Sequence, residues 1–257
     1  MTTVQATTSP ALLLLAALAT EAASLDRACR RQRPADSVRV LQCGIGCKAV
    51  LAASRPHVAG ARLVGSIGVS GALAPQLETG TVILAEAICN RAPGLEPAYA
   101  CSQDLVHLLE QAMEKAAIPC RRGTLLCTDA PLLTPADKLA AHRQTGALAV
   151  DMESAAAAHA TRAAGRPFFC LRVICDPAER LLAPELLCGV DRQGNSRPLR
   201  VLAALARRPR LLGPLLAMAR DFARARRQME QAWQAACTPL VRGSLSGPGH
   251  AGPPGGR

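Results

Sequence analysis

The stretches A-V-D-M-E-S-A at 149–155 and F-F-C-L-R-V-I-C-D-P-A at 168–178 decide the fold. In the first, a short apolar run reaches Asp151 and Glu153, one on each side of Met152, and passes straight into the alanine-rich run ending at Ala160. This pattern predicts a strand end that delivers carboxylates to the mouth of a helix. The second stretch is apolar throughout except for Arg172 and stops at Asp176-Pro177, which predicts a buried strand ending at an acid. A buried carboxylate at a strand end is a candidate proton donor.

The alternation extends outward in both directions. Residues 11–19, A-L-L-L-L-A-A-L-A, predict a first buried strand. No Lys or Arg precedes this run, no clear cleavage site follows it, and it is far short of the ~20 residues of a membrane span. Glu21 opens a helical stretch at a strand-to-helix junction, where α/β enzymes place site residues, although a solvated first-turn acid is also served by the helix dipole. A strand at 38–41 then leads through Cys43-Gly44-Ile45-Gly46-Cys47-Lys48 into a helix. That is a weak phosphate-loop arrangement which tight-turn geometry explains equally well. Another strand at 62–69 precedes a small-residue loop at 70–75, where Ser70 and Gly71 leave room for a ligand against main chain. Residues 81–86 read as a strand, 88–100 as a surface loop or lid, 104–117 as an amphipathic helix and 123–127 as a strand. Thr134-Pro135-Ala136-Asp137 marks a capped helix start, and Gly146 its end.

With 49% apolar residues in 257, the chain has material for a sizeable core, and 2% aromatics mean that Leu, Ala and Val must build it. Strands alternating with helices predict a layered α/β architecture. No polar linker divides residues 1–190, which read as one catalytic domain; 191–242 read as a basic helical extension of it, and 243–257, rich in Gly, Pro and Ser, as a disordered tail. The net charge of +11 is concentrated in arginines at 197–227. Few aromatics interleave with them, which argues against nucleic acid and leaves a phosphate-bearing partner or an anionic membrane surface. Eleven cysteines are scattered, several in strand-like runs, as expected of reduced thiols in a cytoplasmic protein. Cys43 and Cys47 lack a second pair or a nearby histidine, so no metal site is expected.

Five ordered segments then resemble one family. V-D-M-E-S-A and R-V-I-C-D-P-A, with L-A-T-E-A after the first strand, G-I-G-C-K-A and I-G-V-S-G-A-L-A-P, are similar to signature segments of the purine nucleoside phosphorylase and methylthioadenosine nucleosidase superfamily. The following L-L-A-P and a C-terminal extension with R-R-P resemble its hopanoid-associated branch, associated with release of adenine from adenosylhopane.

The resemblance implies a three-layer α/β fold with a central mixed β-sheet flanked by helices. It also implies an N-glycosidase or nucleoside phosphorylase assembled as a homo-oligomer. The reduced thiols point to the cytoplasm, and the C-terminal run in which Leu211, Leu212, Leu215, Leu216, Met218 and Phe222 alternate with Arg220, Arg224, Arg226 and Arg227 reads either as a helix covering the sheet or as one that is also peripheral at the inner membrane face. Asp176 corresponds to the acid that protonates the purine, Glu153 to the acceptor of ribose hydroxyls and Met152 to the thioether against the sugar. Glu21 corresponds to the acid near the attacking water, and Leu132 main chain to a reader of the base. Val69 stands where the family carries a serine, and Ser70 is displaced by one. No arginine matches the phosphate clamp of the phosphorylases, so inorganic phosphate as co-substrate and hydrolysis remain alternatives. No other cofactor is implied. A methylthioadenosine or adenosylhomocysteine nucleosidase and a non-catalytic binding module are the competing readings.

Overall fold

The computed structural model describes residues 10–32 and 37–246. The chain runs β1 (Leu12–Ala16), α1 (Ala19–Arg30), β2 (Val38–Gln42), α2 (Cys47–Val58), β3 (Leu63–Ala72), β4 (Val82–Asn90), β5 (Ala98–Ala100) and α3 (Gln103–Lys115). It continues through β6 (Cys120–Cys127), α4 (Pro135–Thr145), β7 (Ala149–Asp151), α5 (Ser154–Ala163), β8 (Phe168–Asp176), α6 (Pro198–Arg207) and α7 (Leu212–Ser246). This is the expected mixed α/β architecture, with a central sheet flanked by helices.

One eight-stranded sheet in the order β2-β1-β3-β7-β6-β4-β5 is joined by β8, which pairs with both β3 and β4. The pairing β3-β8-β4-β6-β7-β3 therefore closes a ring. Parallel pairs (β1 with β2 and β3, β3 with β8, β6 with β4 and β7) alternate with antiparallel ones (β4 with β8 and β5, β3 with β7). Phe169, Leu171 and Val173 of β8, within the ring, and Leu12, Leu13 and Leu14 of β1, held between β2 and β3, are completely buried. Such strands are covered on both faces, which is why their sequence is continuously apolar instead of alternating.

On one side α5 packs on α2, and Ala155, Ala156, Ala157 and Ala158 of α5 are all buried. The other side is covered by α1, α3 and the second half of α7, which buries Ala225, Met229, Trp233, Cys237 and Val241.

Three boundaries differ from expectation. Ser70 to Ala72 continue β3 instead of forming a loop, because Gly71 and Ala72 pair with Val150 and Ala149 of β7. Residues 88–100 are not a free lid: β4 extends to Asn90, and Ala98–Ala100 form β5 antiparallel to it. Helix α7 runs on to Ser246, past the expected start of a tail at residue 243; residues 247–257 lie outside the described ones.

Candidate active site

Three helices begin at one cavity. It measures about 140 Å³ and is lined by Glu21, Glu153, Arg172, Ser66, Gly68 and Val69 among others. Helix N-termini point backbone N–H groups and a partial positive charge at such a space, which suits carboxylates.

Glu21 is in the first turn of α1 and is only 2% exposed. It belongs to the buried stripe Glu21, Ser24, Leu25, Ala28 and Cys29, so the solvated reading of this acid is corrected. Its Oε2 accepts the Leu18 N–H at 3.0 Å and its Oε1 the Val69 N–H at 2.8 Å. Burial raises its pKa, opposed by these two N–H groups and by Arg172. A Cβ on Gly68 would lie 3.0 Å from Glu21 Oε1, so the absence of a side chain there makes room for the acid.

Glu153 stands immediately before α5, without capping it through its side chain, and faces the same cavity. Its Oε1 accepts the Gly46 N–H at 2.7 Å. Gly46 holds a φ of +88°, a region where an L side chain is strained, so its N–H is aimed at Glu153 by a turn that favours glycine. That turn thus serves a carboxylate of the chain itself rather than a phosphate. Burial, and next the Asp151 charge, push the Glu153 pKa up to about 7.

Arg172 is buried in the middle of β8. Its Nε donates to Asp151 Oδ2 at 2.8 Å and its Nη2 to Ser66 Oγ at 2.9 Å. Asp151 Oδ1 in turn accepts the Ser154 hydroxyl at 2.7 Å. Asp151 is therefore a structural acid that neutralises Arg172. In the sequence Arg172 is visible only as a break in an apolar run, and nothing local marks Ser66 as its partner. A lone charge inside a buried strand was the available signal, since such a charge must be paired.

Asp176 ends β8, 8% exposed, at the register position of Gly71 on β3. Its Oδ2 accepts from Lys138 Nζ at 2.6 Å, and its Oδ1, also buried, has no partner. Burial raises its pKa while Lys138 and Arg180 oppose.

Glu21 reaches β3 at Gly68 and Asp176 reaches it at Gly71. Three residues of strand separate them, roughly 10 Å. The cavity unites Glu21 and Glu153 and does not include Asp176, Met152, Ser70, Gly71 or Leu132. Met152 adjoins Glu153 and donates its N–H to Glu153 Oε2 at 3.2 Å. Ser70 Oγ is buried without a protein partner. Leu132 packs on a smaller apolar cluster with Leu73, Leu126 and Val150. Val69 offers backbone to Glu21, and the hydroxyl inside the cavity comes from Ser66. Among the described residues no group of His, Cys, Asp and Glu is arranged to hold a metal ion.

A ring-closed mixed sheet, with acids gathered in a cavity where helices start against β3, has the layout of an α/β enzyme. The family model of the Phosphorylase superfamily matches residues 30–207, and the chain belongs to that superfamily. Membership makes it an enzyme acting on nucleosides. Among solved structures it is similar to the 5'-methylthioadenosine/S-adenosylhomocysteine nucleosidase of Neisseria meningitidis in complex with methylthio-immucillin-A. That match has a TM-score of 0.67 and 14% identity, covering 88% of this chain and 97% of that one. The corresponding nucleosidase of Colwellia psychrerythraea in complex with adenine matches with a TM-score of 0.67 and 17% identity, over 90% and 96% of the two chains. A futalosine hydrolase mutant of Helicobacter pylori matches at 0.55 and 18%, over 63% and 88%. At these identities the likeness is one of fold.

Proposed function

We propose that the protein hydrolyses the N-glycosidic bond of an adenine nucleoside, with adenosylhopane as its substrate. The observation that carries the reaction is the set of buried acids held against β3, with Glu21 and Glu153 in the cavity by Gly68 and with Asp176, whose Oδ1 is buried without a partner, beside Gly71. As the bond from sugar C1′ to purine N9 breaks, its electron pair enters the purine, and protonated Asp176 gives its proton to N7. Water adds its oxygen to C1′ and loses a proton to Glu21, whose raised pKa suits a base. Ionised Glu153 accepts from the sugar hydroxyls.

The cavity's charge favours water over phosphate as nucleophile. Glu21 and Glu153 line it, and Arg172 is already neutralised by Asp151, so a phosphate dianion would meet net negative charge. The lipid-linked substrate is supported by α6, on which Leu199 and Leu202 are 78% and 60% exposed beside Arg200 and Arg207. This helix hangs on the segment that follows Asp176: the Arg197 N–H donates to Gly189 O at 2.7 Å, and Arg208 pairs with Glu185.

Incubation with methylthioadenosine and with adenosylhopane, with and without phosphate, tests the reaction. Free adenine and the free sugar are expected without phosphate, and Asp176→Asn is expected to slow release at least about a hundredfold. A strict phosphate requirement with a sugar 1-phosphate product overturns hydrolysis. Unchanged activity of the Asp176 variant overturns the role of the acid.

A further inference from the structure

Of the three lysines in the chain, Lys48 and Lys115 are exposed, whereas Lys138 is 0% exposed. An ammonium has three protons to place, and burying it unpaired is costly. Lys138 Nζ places all three: on Asp176 Oδ2 at 2.6 Å, Pro177 O at 2.9 Å and Arg180 O at 3.1 Å. Neutral donors would satisfy two loop carbonyls. A full charge matters only to a neighbour whose own charge changes, and Asp176 is that neighbour.

The remaining groups around Asp176 leave this charge uncancelled. Arg180 is paired with Asp221 of α7, and burial pushes the adjacent Cys175 thiol up to about 12, so it stays neutral. Because Lys138 occupies Oδ2, the oxygen left for a ligand is Oδ1, buried and without a partner.

We propose that Lys138 is a positioning residue for the acid that serves the purine. It turns Asp176 so that Oδ1 meets the base, and its ammonium stabilises the carboxylate that forms when the proton leaves. This rests on the hydrolytic reading above. In the step itself the Oδ1–H proton moves to purine N7 as the glycosidic electron pair collapses into the ring. Asp176 passes from neutral acid to carboxylate, and Lys138 remains an ammonium throughout.

Lys138→Gln keeps an N–H donor and removes the charge, and Lys138→Met removes both. Without the charge Asp176 is a weaker acid. The alkaline limb of the kcat/KM profile is then expected to move up by about one pH unit, and plateau kcat to fall about tenfold or more, with KM within about threefold. A lysine that merely clamps the loop would lower activity without moving the limb, and an unmoved limb in Lys138→Gln overturns the proposal. Should neither variant fold, the wild-type protein decides. With only three lysines, the Lys138 Nζ resonance of ¹⁵N-lysine protein is readable, and it is expected to titrate with the Asp176 carboxyl, identified by its loss in Asp176→Asn. A Lys138 signal indifferent to that titration overturns the proposal. If the wild-type enzyme releases no adenine, the hydrolytic reading falls, while the Nζ titration still shows whether Lys138 governs the Asp176 proton.

Discussion

At Glu153 two demands pull one proton in opposite directions. Burial raises its pKa from 4.5 to about 7, so between those values the folded chain holds a proton that the unfolded chain has released. The resulting stabilisation is present in full below 4.5 and is lost as pH rises through about 7. Sugar hydroxyls need the opposite state, an ionised acceptor. Glu153→Gln is therefore expected to raise the melting temperature at pH 8, by at most about 3 kcal/mol of stability, with the gain shrinking toward pH 5. Adenine release should fall about a hundredfold or more, and wild-type kcat/KM should rise with pH through about 7. Melting curves across pH together with initial rates check this, and an equal melting difference at pH 5 and 8 would contradict it. Other residues show what a single sequence conceals. The burial of Glu21 was legible in its spacing to Leu25 and Ala28, but a first-turn acid reads as solvated when that face is not drawn. Lys138 shares a face of α4 with buried Ala141, three residues on, yet its partner Asp176 is 38 residues away and no local pattern joins them.

Elements were legible where local chemistry is decisive. The start and stop of α4 follow from Thr134, whose Oγ accepts the Asp137 N–H at 3.1 Å, and from Gly146 at φ +67°. The end of β3 was not, because Gly68, Ser70 and Gly71 have low strand propensity. Small residues persist in this strand because Glu21 and Asp176 press on it. Edge strand β5 was hidden by the Pro and Gly of the link before it. In α7 the apolar residues most visible in the sequence are Leu212, Leu215, Leu216, Met218 and Phe222, whereas its buried stripe lies further on and centres on Trp233. The indole is fully buried and its Nε1 donates to Cys29 Sγ at 3.1 Å, a contact across 204 residues of sequence. Trp233→Ala should therefore cost about 3–5 kcal/mol, measured by urea denaturation. A loss below about 1 kcal/mol would mean that α7 is an appendage and not a layer of the fold.

Across the whole molecule, charge and apolar exposure gather in one segment. No residue of α6 is buried, and Leu199, Leu202, Ala203 and Ala206 recur at helical spacing along one exposed face, with Arg200 and Arg207 beside it. Leu212 and Leu216, 51% and 46% exposed, continue the apolar surface into α7. Among the described residues Arg200, Arg207 and Arg210 have no carboxylate partner, and no helix is long and apolar enough to cross a membrane. Such a helix fits the headgroup plane of an anionic bilayer. Each arginine adds about 1 kcal/mol near such a surface, so three give roughly a hundredfold in partitioning at low salt, most of it lost to screening at high salt. Flotation with phosphatidylglycerol liposomes should carry the protein at low salt, and phosphatidylcholine liposomes should not. Leu199→Ser/Leu202→Ser should weaken flotation at least about tenfold by removing two inserted side chains. The same double variant should cleave methylthioadenosine at the wild-type rate, because α6 contributes nothing to the cavity, while cleavage of a lipid-linked nucleoside in vesicles falls with binding. No flotation at low salt, or equal loss on both substrates, would show that this face serves something other than a membrane.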